Sequence, residues 1–271
     1  ISPEPDSVSW KWNVDTVNWT DVSDDVVSFM LDNLRQLPQQ TQEVLQLAAC
    51  IGSTFDLDTL AAIYQKTIAD TAMALMPALK QYTVQPLHSD YKLISEDSDI
   101  ARHLRYRFQH DRVQQAAYQL IDKERLPKVH LSIGRLMLNH EGSTTQPERI
   151  SDIVSHLNQG VELINTREER LLLAKLNLQV GQRAKNASAY QAAIVLLRIS
   201  ERLLPVNAWQ ETPELMMQLA AEIQQCCYLT GAVNEADDWI EKMLSHASSN
   251  LEKSDILATR TRQYATLGRM K

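Results

Sequence analysis

Glycine and phenylalanine are scarce in this chain, with 7 and 3 among 271 residues. That scarcity argues against a glycine-punctuated, β-rich enzyme and for a helical protein. Cysteine is sparse too. Cys50, Cys226 and Cys227 make an odd set, two adjacent and none in C-x-x-C spacing. The set reads as small buried apolar residues in a reducing, cytoplasmic setting. No apolar run approaches the ~18–20 residues of a membrane span. No charged–apolar–small signal peptide opens the chain. A net charge of −7 and a pI near 5.5 argue against generic affinity for nucleic acid or anionic membranes.

Catalytic motifs are missing as well. None of the seven glycines is followed by Lys, so the G-x-x-x-x-G-K-[ST] phosphate loop is absent. G-x-G-x-x-G, G-x-S-x-G and H-E-x-x-H are absent too. These residues therefore encode no catalytic site, and we expect no enzyme within them. The seven histidines are scattered. His103 and His110 stand seven apart without a Cys or acid cluster, which is poor metal-ligand spacing. His88, His130, His140, His156 and His246 read as surface or satisfied core residues.

What is present is 44% hydrophobic and 23% charged, in enough chain for one large domain or two ordinary ones. The chain begins at Ile1 rather than Met and stops at Lys271 inside an apparent helix. It reads as a piece of a longer protein.

Residues 1–20, with Pro3, Pro5, Trp10, Trp12 and Trp19, look like a linker that docks aromatics on the first helices. Apolar spacing predicts helices at about 22–36 and at 38–50, the latter opened by Pro38 and ended before Gly52. Asp56 is expected to cap a helix carrying Leu57, Leu60, Ala61 and Ile63, and a further helix starts at Asp70. Extended runs follow at Thr83–Leu87, Tyr91–Ile94 and Leu104–Phe108, with a polar loop at Ser95–Asp99. The expected fold class is mainly α. Residues 20–122 are expected to form a winged-helix domain with a small β-hairpin wing. A helical connector then spans 123–166 and a truncated helical repeat region 167–271.

The later helices are predicted at 123–140, 147–159, 167–185, 188–204, 213–230, 233–247 and 253–268, with a break at Gly142–Thr145. Their short connectors indicate helix pairs. Gly181, Ala193 and Pro205 stand twelve apart, the small/small/Pro spacing of a tetratricopeptide unit, supported by Ala189-Tyr190. A second unit keeps Tyr228, Gly231 and Ala236 but has Gln224 at the first small position. A third opens at Leu257 with Tyr264 and Gly268 and is cut off. Stacked repeats need neighbours to bury their faces.

The most informative stretch is Phe108-Gln109-His110-Asp111-Arg112, where an alternating run meets a helical pattern (Val113, Ala116, Ala117, Leu120, Ile121). Asp111 is placed to cap the new helix, and first-turn N–H groups favour anions. His110 has three readings: a phospho-accepting histidine, a local hydrogen-bonding residue that stabilises the junction, or a contact to a nucleotide phosphate held by another domain. Arg102, Arg105, Arg107 and Arg112 form a basic cluster suited to a nucleotide or an acidic partner surface. A DNA-reading helix is disfavoured, because the 70–80 helix offers one Lys and a wide Ala/Met/Leu surface.

Leu45–Leu57, Phe108–Tyr118 and Arg125-Leu-Pro-Lys-Val-His130-Leu-Ser-Ile-Gly134-Arg135-Leu resemble the segment after the ATPase core in large bacterial signalling proteins. Those proteins join a serine/threonine-kinase-like domain, a STAND-type AAA ATPase, helical repeats, GAF or PAS sensors and a histidine kinase of a two-component system. The likeness covers about residues 10–140, while the repeats match in type alone. It implies a winged-helix arm whose Gln109-His110-Asp111 is similar to the Met-His-Asp motif of related nucleotide switches, where the histidine touches the β-phosphate of ADP. Gln109 departs from Met. The resemblance further implies an upstream core holding ADP or ATP with magnesium, no cofactor in this segment, and downstream sensor or kinase domains, or a protein partner on the repeats. Full-length relatives of this kind are ATPases and protein or histidine kinases. A different-class alternative is the inducer-binding part of a maltose-regulator-like transcription activator, and a third is a passive repeat scaffold.

Overall fold

A computed structural model describes residues 2–3, 10–11, 19–87, 104–140 and 147–266. It is mainly helical with a small antiparallel sheet, and the chain divides into two compact units, residues 1–136 and 137–271. In the first unit the backbone of β1 (Ser2–Pro3) pairs antiparallel with β2 (Trp10–Lys11). The rest of the predicted 1–20 linker, its aromatic docking included, lies outside the described side chains.

Helix α1 (Trp19–Arg35) is followed by α2 (Gln39–Ile51), with Pro38 in the cap position. Gly52 ends α2 at φ 154°, in the region that only glycine adopts without strain. Strand β3 (Thr54–Asp56), which the apolar pattern does not reveal, then leads into α3 (Leu57–Tyr64). Asp56 occupies the cap position, but its side chain makes no capping bond. It pairs with Arg105 at 3.1 Å across the sheet instead. Helix α4 (Ile68–Lys80) starts two residues before Asp70, because Thr67 is the cap. The Thr67 hydroxyl accepts from the Asp70 N–H at 3.0 Å.

Strands β4 (Val84–Pro86) and β5 (Arg105–Phe108) lie inside two of the predicted extended runs; the Tyr91–Ile94 run and the 95–99 loop fall outside the described residues. The sheet order is β3-β5-β4, all antiparallel, with Phe55 opposite Tyr106 and Val84 opposite Phe108. Tyr106 and Phe108 are buried while Arg105 and Arg107 are exposed, the period-2 alternation of a half-buried strand. Helix α5 (Asp111–Gln119) buries Val113, Ala116 and Ala117. These join Val44, Leu45 and Ala48 of α2, Leu75 and Ala78 of α4, and Phe55 in one core. Within it the Thr41 hydroxyl donates to the Ala74 carbonyl at 2.8 Å, so its burial leaves no lost hydrogen bond. Helix α6 (Leu126–His140) places buried His130 Nε2 3.0 Å from the Tyr118 hydroxyl.

The second unit holds α7 (Pro147–Gln159), α8 (Arg167–Asn186), α9 (Tyr190–Leu203), α10 (Ala208–Glu211), α11 (Pro213–Leu229), α12 (Val233–His246) and α13 (Asn250–Thr266). Helices α8 and α9 pack closely where a Cβ built on Gly181 would stand 2.9 Å from Leu197 Cδ2. The buried Ser200 hydroxyl donates to the Ala174 carbonyl at 2.8 Å across the same pair. Pro205 follows the extended Leu204 and cannot continue the helix. Gln224, at the position of the first small residue, is buried and exchanges two amide hydrogen bonds with Gln263 of α13, at 2.7 and 3.1 Å. Tyr228 donates to the Gln263 carbonyl and Tyr264 to Asp237, joining α11 and α12 to α13. Gly268 and the 142–145 break fall outside the described residues. The short helix α10 is not visible in the apolar pattern, because four residues carry no period.

Candidate functional site

The junction between β5 and α5 is built from both sides. Phe108 N–H donates to the Ser53 carbonyl at 3.0 Å, and Gln109 N–H donates to the Thr83 carbonyl at 3.0 Å, so both neighbouring strands hold the chain as it leaves the sheet. Extended geometry continues into His110, at φ −146° and ψ 150°, and the His110 carbonyl accepts the first helical bond, from Val113 N–H at 3.0 Å. The helix therefore starts one residue earlier than an Asp111 cap requires. His110 is the cap residue, its ring makes no capping bond, and Asp111 is the first helical residue. The carboxylate of Asp111 is exposed in the first turn, where it complements the helix dipole without closing an N–H.

His110 is exposed and lines a cavity of about 260 Å³. The opposite walls come from Met30, Asn33 and Leu34 of α1 and from Gln81, Tyr82 and Thr83 after α4. Tyr82 is held at φ 56°, a left-handed conformation unusual for an aromatic residue, and the residue is 76% exposed beside the imidazole's cavity. Nothing in the local sequence around Lys80-Gln81-Tyr82 signals this, since turn chemistry normally places Gly or Asn there. Among the described residues the His110 ring makes no capping bond and faces this cavity.

The predicted basic cluster separates into parts. Arg105 and Arg107 project from the exposed face of β5, Arg105 engaged with Asp56. Arg112 lies on α5 and donates to Gln115 Oε1 at 2.9 Å. Arg102 and His103 lie outside the described residues. No group of three or more His, Cys, Asp or Glu able to hold a metal occurs among the described residues. The cysteine thiols are buried. Burial pushes Cys50 up to about 12, and it raises Cys226 and Cys227 as well, which keeps all three protonated and unreactive. No described helix is long and apolar enough to cross a membrane.

No protein-family model matches the chain, and no solved structure matches it. The chain is similar to hybrid signal transduction histidine kinase G of Dictyostelium discoideum, 29% identical over 302 aligned residues. That alignment takes in 94% of this chain and 9% of the kinase, so the segment corresponds to a small part of a much longer signalling protein.

Proposed function

We propose that this chain is a regulatory segment of a signal-transduction protein. In this reading residues 20–122 act as a winged-helix arm that reads a nucleotide phosphate, and the helix pairs of residues 167–271 are tetratricopeptide-like and bind protein. The observation that carries the reading is His110: a cap residue whose ring is free of capping duty, exposed, and facing a cavity at a helix start. A neutral imidazole there can accept or donate one hydrogen bond, and its cationic form adds charge attraction to phosphate. Arg107 on the exposed face of the neighbouring strand supplies further positive charge, while Arg105 is engaged with Asp56. The nucleotide, ADP or ATP with magnesium, belongs to an ATPase core elsewhere in the protein, because the chain contains no phosphate loop. The segment itself is non-enzymatic.

Support for a signalling role comes from the similarity to the histidine kinase, which also favours this reading over a transcription activator. Met73 and Met76 are exposed on α4, where a DNA-reading helix would present cations. The test uses a protein that carries both the core and this segment. His110→Ala is expected to weaken ADP binding and raise basal signalling; unchanged ADP affinity and unchanged output would remove the sensor role. Calorimetry of residues 1–271 alone with ATP is expected to show no micromolar binding.

A further inference from the structure

The first unit carries a second cleft, away from His110. A cleft of about 440 Å³ opens between α2, the end of α3 and the start of α6, and shares no lining residue with the His110 cavity. Three features set its chemistry. Its polar edge carries Lys66, Arg125 and Lys128, all exposed, against the single carboxylate of Glu43. None of these three cations is in an ion pair among the described residues, in a chain whose net charge is −7. Its other lining is apolar, from Leu47, Ile63, Ile121 and Val129.

The backbone explains the convergence. Gln65 ends α3 in the left-handed region at φ 58°, and the next N–H, that of Lys66, bonds back to the Ala61 carbonyl at 3.2 Å. Lys66 is thereby turned to the rim of the cleft rather than continuing the helix. Arg125, Lys128, Val129 and Ser132 follow the i, i+3, i+4, i+7 spacing of one helical face and so arrive on the same side. Tyr64 adds a hydroxyl. Burial, with the carboxylates of Glu43 and Asp70 nearby, raises Tyr64 above its ordinary value, so the hydroxyl stays protonated and able to donate.

We infer that this cleft binds a small organic phosphate, its dianionic head against Lys66, Arg125 and Lys128 and its apolar or ring body against Ile63, Ile121 and Val129. Three cations facing one carboxylate leave an excess that matches a phosphomonoester, which carries about −1.5 to −2 at pH 7. The volume lies in the range of about 300–1,000 Å³ usual for small-molecule sites. The site is independent of the His110 reading and stands or falls separately from it.

The test is an amide-resolved NMR titration of the ¹⁵N-labelled 271-residue chain with phenyl phosphate, run beside inorganic phosphate and phenol. Saturable shifts are expected around residues 63–66 and 121–132, with a Kd of about a millimolar, tighter than for either half of the probe. Arg125→Gln with Lys128→Gln is expected to weaken binding about tenfold. Both side chains are exposed, so the fold is retained and the unshifted spectrum reports it. Lys66→Gln provides a second, independent variant. An absence of saturation, shifts confined to other residues, or unchanged affinity in both variants would overturn the site. Inorganic phosphate binding as tightly as phenyl phosphate would overturn the apolar half of the assignment. A phosphoserine peptide binding more tightly than the small probe would overturn it in favour of a protein ligand.

Discussion

Asn158 and Asn177 hold each other through two amide hydrogen bonds of 2.8 and 2.9 Å, joining α7 to α8 in the second unit. Asn177 is fully buried and also donates to the Leu173 carbonyl at 3.0 Å, so its polar atoms are matched. The Gln224–Gln263 exchange repeats the device between α11 and α13. A buried amide pair fixes register more strictly than an aliphatic contact, because a shift leaves both partners unsatisfied. Asn177→Leu is therefore expected to destabilise the chain by about 1–3 kcal/mol in urea unfolding. Adding Asn158→Leu should recover part of that loss. If the two losses simply add within about 0.5 kcal/mol, the amides do not act as a pair.

Gly181 offers a prediction in which two effects oppose each other. In a free helix Gly→Ala gains about 1 kcal/mol of helix propensity. Here the added Cβ meets Leu197 Cδ2 at 2.9 Å and Cγ at 3.0 Å, and Leu197 is fully buried and cannot swing out. Overpacking of this kind costs about 1–3 kcal/mol, so it outweighs the gain. Gly181→Ala should lower the melting temperature by about 2–4 °C per kcal/mol of net loss. A rise in melting temperature would show that the helices part at no cost.

The cysteines yield a chemical test. All three are buried, and burial raises each thiol's pKa, so native protein should resist alkylation at pH 8 while urea exposes all three. Mass spectrometry of iodoacetamide-treated protein reads the difference. Rapid native labelling of Cys226 or Cys227 would place α11 at the surface.

The helices were legible where apolar spacing ran for three turns or more. Pro147, Pro213 and Gly52 marked ends that the structure keeps. Strand β3 was not legible, since it contributes one buried side chain, Phe55, and exists by pairing with β5 about fifty residues away. The cap at the β5–α5 junction was misread for a physical reason. Asp outranks His as a cap by residue type, but both neighbouring strands hold the backbone extended through Gln109 and into His110, and tertiary pairing overrides local preference. Of the candidate site, the exposed pair Arg105 and Arg107 could be placed from alternation, and His110 from the change of period that follows Phe108. The walls supplied by Met30, Asn33 and Tyr82 could not, because they come from elements thirty to eighty residues distant.

His156 gives the chain a pH dependence with a definite sign. Its ring is buried on α7, and that burial lowers its pKa below the ordinary 6.5. Above pH 6.5 the ring is neutral in both folded and unfolded chains and contributes nothing to the pH slope. As pH falls below 6.5 the unfolded chain takes up a proton that the folded chain still refuses, so stability declines. The decline ends once the pH passes the lowered folded value, and its slope is at most about 1.4 kcal/mol per pH unit for one group. Melting temperatures between pH 7.5 and 5 should therefore fall more steeply for the native chain than for His156→Gln. Because the two proteins differ at this residue alone, the difference between the two slopes isolates His156. Parallel slopes would mean that the imidazole is protonated without cost where it sits, and the burial argument would fail.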